Sequence, residues 1–318
     1  VTAVVCVYNA GSYFRPSLQS LLDQTYAPLE ILVIDDGSTD GCIEECEDLL
    51  SDPRVRLLRQ ENSGKPTALN RALQELRGEY AMIHDADDLS DSRRAEKLVA
   101  CFLEDPDLAV VFSGHELILG DRRMAPTFES RSPEACRRYV EAFRMPAHDP
   151  TAMYRVSKIR GIEYLPDLRL GEGLDFILRV GERHPIRVLG ECLYSYRIHP
   201  ESITKATDRE VTDRYLRKVV ERACERRGIA PPDPPASDSS GRLRNQDRDN
   251  NLAAHFMDST VQLRKAGRRR EALRTALACL RLHPFDPHYQ KALVYALAPL
   301  NWVEKVRTRR NDSRFKRG

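Results

Sequence analysis

Three acids fall within four positions of the pentapeptide HDADD, His84–Asp88, directly after the apolar run YAMI. On an extended segment side chains two apart share a face, so Asp85 and Asp87 are expected to converge on one spot. Hard oxygen ligands at the carboxyl end of a strand suit Mg²⁺ or Mn²⁺. The plainer reading of the group is a turn in which Asp88 caps the following helix, but acids this close repel one another unless a cation sits among them. A second pattern, DDGSTDG at Asp35–Gly41, also follows a buried run. Gly37 permits a sharp turn there, and Ser38, Thr39 or Asp40 can cap the next helix. Asp35 and Asp36 are left at a strand terminus, where they can accept hydrogen bonds from a base N–H or from ribose hydroxyls. In a third, ENSGKPTALNRAL at Glu61–Leu73, Lys65 sits in a loop that opens a helix, a location suited to a phosphate. This is no Walker A loop, because the upstream Gly is absent and Pro66 stands where Ser or Thr is required. GEGLDF at Gly171–Phe176 lacks the last Gly of a dinucleotide fingerprint and no strand leads directly into it. The common NTPase and NAD-enzyme readings are thereby excluded.

The elements that must carry these residues are legible as short apolar runs alternating with helical spacing. Thr2–Tyr8, Glu30–Asp35, Val55–Gln60 and Tyr80–Asp85 read as strands, and Ala68, Leu69, Ala72, Leu73 and Leu76 share one helical face. Buried strands separated by helices predict an α/β domain with a parallel sheet covered by helices, whose carboxyl edge is where ligands bind. Ala109–Ser113 is a further strand; His115–Gly120 either pairs with it or begins a separate edge. Helices are expected at Ser132–Phe143, Leu174–Arg183 and Asp208–Arg227, and strands near Thr151–Val156, Ile186–Leu189 and Leu193–Ile198. Pro231–Gly241, PPDPPASDSSG, reads as a linker. Beyond it, Asn251–Lys265, Arg269–Leu282 and Asp286–Leu297 have amphipathic helical spacing, as in one tetratricopeptide-like hairpin plus a helix. The organisation expected is therefore a catalytic domain over 1–228, a linker over 229–249, a helical extension over 250–300 and a basic tail over 301–318.

With 318 residues, at roughly 150 per domain, the chain has room for one large domain and a smaller unit. Fifty Lys and Arg against 48 Asp and Glu leave a formal charge of +2, which argues against a dedicated nucleic-acid binder. No window reaches the ~18–20 apolar residues of a membrane span, and VTAVVCVYNAG lacks the features of a secretory signal. The eight cysteines are scattered without a C-x-x-C pair, favouring buried thiols over a disulfide framework or zinc site. A cytoplasmic protein is the expectation, with peripheral contact at the inner face of a membrane through the basic C-terminal region as an extension of it.

Read in order, VCVYNAGSYFRPSLQSLLDQTY, ILVIDDGSTDG, NSGKPTALNRAL and YAMIHDADD resemble glycosyltransferase family 2 across about Val1–Arg227. The resemblance implies the GT-A fold and an inverting, hexosyltransferase-type enzyme that uses a nucleotide-diphosphate sugar, Mn²⁺ or Mg²⁺, and a saccharide or lipid-linked acceptor. Cell-surface polysaccharide or glycolipid synthesis is the family-level role. Carried over by match, Tyr8, Asp36 and Asp35 line the base and ribose site, while Lys65 and Arg71 approach the nucleotide or its phosphates. Asp85 and Asp87 form the D-x-D element, Asp87 being the direct metal ligand. YRIHPES at Tyr196–Ser202 looks like the segment that closes this domain, so that His199 reaches the diphosphate or metal.

One departure matters. The family carries Glu-Asp before a helix ending in Leu-Arg, the Asp being the catalytic base. This chain reads LGEGLDFILRV, with Glu172 kept and Gly173 at the Asp position. Glu172 and Asp175, three apart, share a helical face; Glu172 is the first candidate base and Asp175 the second. The alternatives are a nucleotidyltransferase, which lacks here its Gly-rich basic loop, and a non-catalytic nucleotide-sugar-binding scaffold, motivated by Gly173 and the appended helices.

Overall fold

The structure, a computed structural model, describes residues 1–199, 209–232 and 247–306. Buried apolar runs and amphipathic segments alternate as β1 (Thr2–Val7), α1 (Phe14–Leu22), β2 (Glu30–Asp35), α2 (Glu47–Leu50), β3 (Val55–Arg59), α3 (Lys65–Gln74) and β4 (Tyr80–Asp85). There follow β5 (Leu89–Ser90), α4 (Arg94–Glu104), β6 (Val110–Leu119), β7 (Arg122–Met124) and α5 (Pro133–Glu141). A 3₁₀ turn at Asp149–Thr151 leads into β8 (Met153–Arg155), α6 (Val156–Ile159), α7 (Glu172–Gly181) and β9 (Ile186–Ile198). The last helices are α8 (Arg209–Arg227), α9 (Asp247–Lys265), α10 (Arg269–Leu282) and α11 (Pro287–Leu297).

The strands form one sheet in the order β3-β2-β1-β4-β8-β6-β9-β5, with β7 paired to β6. β1 to β4 are parallel, and β6 and β9 are parallel to each other. β8 is inserted antiparallel between β4 and β6. The α/β architecture with a mostly parallel sheet flanked by helices is thus as the residue pattern implied. Alternate residues of the central strands explain it: Val5, Ile31, Val33 and Met82 bury on one face with α1 and α4, while Val4, Leu32, Ile34 and Ile83 bury on the other with α3 and α7. Each such side chain contributes about 1.5–3 kcal/mol, and strands apolar on both faces need cover on both.

Helices α7 and α9 begin earlier than expected, at Glu172 and Asp247, and three strand regions differ from the sequence reading. His115–Gly120 neither turns back nor leaves: all but Gly120 continues β6. The strands near Ile186–Leu189 and Leu193–Ile198 are one strand, β9, held continuous by β6 through a register shift around Gly114. A Cβ on Gly114 would lie 1.9 Å from the Thr127 carbonyl oxygen, so only glycine fits that bulge. β8 begins later than Thr151 because Asp149–Thr151 coils into the 3₁₀ turn, with Pro150 in its first turn.

Helices α9 to α11 do not stand apart. Phe256, Met257, Val261, Ala276, Cys279, Tyr289 and Ala292 pack against Leu117 and Ala125, with Leu119, Met124, Tyr196 and Ile198 beside them. At this seam His115 stacks on His148 at 4.6 Å and meets His255 of α9 at 4.5 Å between ring centroids. Most of the Pro/Ser/Asp-rich linker and of the basic tail, and the Pro-Glu-Ser end of YRIHPES, lie outside the described residues. Among the described residues no helix is long and apolar enough to cross a membrane, and all eight cysteines are free thiols.

Candidate active site

The chain passes from β1 to β2 and β3, then returns to lay β4 on the other side of β1. In sheets with such a reversal, ligands usually bind in the crevice outside the carboxyl ends of the strands on either side of it, here β1 and β4. Cys6, one residue before the end of β1, is in register with Asp85, and Val7 with Asp35, so two of the motifs flank one strand end. Tyr8 follows β1 with 53% exposure. Asn9, in the left-handed region at φ 50, turns its Oδ1 to accept from the Thr39 N–H at 2.8 Å.

Asp35 and Asp36 are both buried. Asp35 Oδ1 accepts from Ser38 N at 2.9 Å, closing the DDGS turn. Asp36 accepts from Gln60 Nε2, Ser63 N and Gly64 N at 2.7, 3.0 and 2.9 Å. It therefore fixes the loop that delivers Lys65, while Gly37, at φ +81, lies against that loop's backbone. Arg71 donates to the Arg59 carbonyl at 2.7 Å and to Gln60 at 3.3 Å, placing it at the root of the same loop.

The three acids of HDADD take separate directions, because the strand ends at Asp85 and a turn follows. Asp85 Oδ1 pairs with Lys65 Nζ at 2.7 Å; burial alone would raise its pKa, but Lys65 outweighs burial and holds it low. Asp87 Oδ2 meets His199 Nε2 at 2.8 Å, and the His199 ring lies 4.6 Å from that of Tyr13. Asp88 does not cap α4. It is fully buried and accepts from the Tyr194 hydroxyl at 2.7 Å and from Arg197 N at 2.7 Å. Burial, then Asp87 and Asp85, raise its pKa well above the carboxylate range. Asp88 thus ties the strand end to β9, the strand that brings His199 to Asp87. His84, buried between Ser17 and Ser90, has its pKa lowered to about 3 by burial and stays neutral.

Among the described residues no three His, Cys, Asp or Glu side chains form a ready-made metal cluster. The converging Asp87 and His199 nevertheless fit a cation that takes one or two protein ligands and completes its shell with phosphate oxygens and water; the carboxylate of the pair suits Mg²⁺ or Mn²⁺.

Across the crevice, α7 opens at Gly171, which has φ 78. Its first residue, Glu172, acts electrostatically on Lys65 together with Asp85 and Asp149. Burial would lower the Lys65 pKa, but these three acids raise it well above the usual lysine range. The Glu172 pKa is raised by burial against the opposing Lys65. Asp175 takes no part in this group. It is fully buried, with Oδ2 held by Arg179 at 2.6 Å and Oδ1 by Arg226 of α8 at 3.4 Å.

Asp149 is the residue that sequence reading missed. It is a half-buried carboxylate in the turn before β8, and its pKa is pushed up to about 7 by burial, against Lys65 and with Glu172 and Asp85 reinforcing. Its Oδ1 is inaccessible and accepts no hydrogen bond among the described residues. Arg94, also unmarked in the sequence, is fully buried and braces that turn. It donates to Pro150 O at 2.7 Å, Ile83 O at 2.9 Å and Ser90 Oγ at 3.0 Å. The one available signal was Gly173 itself, at the position where the resemblance implies an acid.

Residues 2–161, half of the chain, match the sequence model of the family described as Glycosyl transferase family 2. The chain is 40% identical over 106 residues to "Uncharacterized glycosyltransferase YibD" of Escherichia coli (strain K12), covering 33% of this chain and 31% of that protein. The matched stretch thus spans about a third of that relative's length. Among solved structures, the mannosyltransferase PcManGT from Pyrobaculum calidifontis, in complex with GDP-Man and Mn²⁺, superposes with a TM-score of 0.57 at 18% identity. That match covers 95% of this chain and 86% of the other. S. aureus TarS 1–349 in complex with UDP superposes with a TM-score of 0.54 at 18% identity, covering 93% and 87%. At such identities the two likenesses show a shared fold, the GT-A architecture of a curled sheet between helices.

Proposed function

The chain belongs to glycosyl transferase family 2, and from that premise we propose that it transfers a hexosyl unit, with inversion, from a nucleotide-diphosphate sugar to an acceptor hydroxyl. The observation that carries this reading is the meeting of three motifs at one sheet edge: Asp85 on Lys65, Asp87 on His199, and the acidic start of α7 facing Lys65. Tyr8, Asp35 and Asp36 border the nucleoside end. Arg71 acts through the loop it anchors rather than on the phosphates directly.

Asp87, with His199, would hold Mn²⁺ or Mg²⁺; Asp85, paired with Lys65, stands next to them. Such an ion, bound to the diphosphate, neutralises charge on the leaving group and contributes on the order of several kcal/mol. The chain's own groups do the rest. Lys65 adds positive charge near the departing phosphates, and a carboxylate takes the proton of the attacking hydroxyl, which is typically worth ~10²–10⁴-fold.

The acceptor we propose is a saccharide or a lipid-linked sugar of cell-surface polysaccharide or glycolipid synthesis, met on the cytoplasmic side of a membrane. The helical extension supports this placement. Leu273, Leu277, Phe285, Val294, Leu297 and Trp302 are exposed, as are Arg270, Arg274 and Arg281, apolar and basic groups suited to anionic lipid. The division into a domain over 1–228, a linker over 229–249 and an extension over 250–300 belongs to the same proposal.

The test is NDP release from UDP-, GDP- and dTDP-sugars with Mn²⁺, with Mg²⁺ and with chelator. Hydrolysis or transfer from one donor, lost in chelator and in Asp87→Ala, is the expected result. Turnover indifferent to both removes the metal from the mechanism; pyrophosphate release from an NTP replaces the transferase by a nucleotidyltransferase. Donor binding without turnover, across a broad acceptor panel, leaves a scaffold.

A further inference from the structure

Gly173 and the carboxyl of Asp149 compete for one volume. A Cβ built on Gly173 would lie 2.0 Å from Asp149 Oδ2 and 2.5 Å from its Cγ. Folded proteins essentially never show a Cβ contact of that length, so a side chain at 173 requires the carboxyl of 149 to leave the position it holds here. Resting on the transferase reading, we propose that Asp149 is the general base of this enzyme, its carboxyl entering from the turn before β8 into the place that an acid on the first turn of α7 would otherwise fill. The catalytic carboxylate has not been lost with Gly173; it reaches the same spot from another element.

Three further observations agree. Asp149 belongs to the electrostatic group of Lys65, Glu172 and Asp85. Its Oδ1 is inaccessible and lacks a donor among the described residues, so no protein hydrogen bond commits that oxygen to a structural role. The turn is also rigid. The Thr151 hydroxyl donates to His148 O at 2.6 Å, Ala152 N to Asp149 O at 3.0 Å, and buried Arg94 to Pro150 O at 2.7 Å. Asp175, by contrast, is held by two arginines.

In the step, the acceptor oxygen forms its bond to the anomeric carbon as its proton passes to the Asp149 carboxylate. The bond from the anomeric carbon to the β-phosphate oxygen breaks, and its electron pair leaves with the nucleoside diphosphate.

The experiment moves the carboxyl. In the full-length protein, with the donor found active for the wild type, Asp149→Ala is expected to lower kcat by about 10²–10⁴-fold with little change in donor KM. Asp149→Ala/Gly173→Asp, which removes the three atoms nearest to a Cβ at residue 173, is expected to recover at least tenfold of that loss. A second readout needs no substrate: Gly173→Ala should lower Tm in the wild-type background and not in Asp149→Ala. Wild-type kcat in Asp149→Ala overturns the proposal while leaving the transferase reading intact, and Glu172→Gln then tests the remaining acid. A folded double variant no faster than the single also overturns it, as does an equal Tm loss from Gly173→Ala in both backgrounds. A wild-type enzyme that turns over no donor removes the transferase reading and this proposal together.

Discussion

Asp175→Asn separates two roles that the sequence left side by side. The carboxylate is fully buried on α7, with Arg179 at 2.6 Å one turn on and Arg226 of α8 at 3.4 Å. Asparagine keeps the shape and one acceptor but removes the charge that both guanidinium groups share. Breaking a buried pair costs about 3–5 kcal/mol when the stranded charge stays dry. Here the arginines keep other acceptors, the Glu163 carbonyl for Arg179 and Glu182 for Arg226, so the loss shrinks to about 2 kcal/mol, in the range of one hydrogen bond to a charged group. At about 2–4 °C per kcal/mol for a chain of this size class, Tm should fall by roughly 4–8 °C. Per folded molecule, kcat should stay within a few-fold of wild type. Differential scanning fluorimetry and donor turnover below the transition check both numbers. A variant that melts with the wild type but loses ~100-fold in kcat, the scale of a missing general base, would refute the reasoning and return Asp175 to the catalytic machinery.

Acid should loosen the seam beneath the helical extension. Burial lowers the pKa of His148 and His255 to about 4, and that of His115 well below its usual value, with His255 and His148 adding; Asp85 and Lys65 also act on His148, with opposite signs. Unfolded histidines take protons first, so stability is whole above about pH 6.5 and drains away as the pH falls from there towards 4. Each histidine withdraws up to ~2 kcal/mol by pH 5. His255→Gln, which can still donate to Ala125 O, should flatten the slope of Tm between pH 7 and 5, and an unchanged slope counts against the stack. Gly37→Ala puts a side chain where φ is +81 and the Asn62 nitrogen would be 2.9 Å away, at a cost of about 1–2 kcal/mol from the backbone alone. Tm should fall and donor KM rise more than kcat changes; a wild-type Tm would mean that the DDGS turn is not held as described.

Much of this protein was legible before folding was considered. The central strands are apolar on both faces, so β2 and β4 were read to the residue and β1 and β3 within one, and the acids that follow them had to meet at one sheet edge. The amphipathic spacing of α3, α5 and α10 and the absence of Walker and dinucleotide loops are equally local facts. What the sequence could not say is which group each side chain meets, because that depends on elements far apart along the chain. Asp88 looked like a helix cap and instead holds Tyr194 and Arg197 of β9. Asp36 was read as a group of the base and ribose site, and the fold also makes it the anchor of the loop before α3. Arg94, one basic residue among fifty, is buried where it reaches the Ile83 and Pro150 carbonyls. Gly173 read alone is a missing acid; only the packing of α7 against the turn before β8 puts the Asp149 carboxyl, 24 positions earlier in the chain, into the space that glycine leaves.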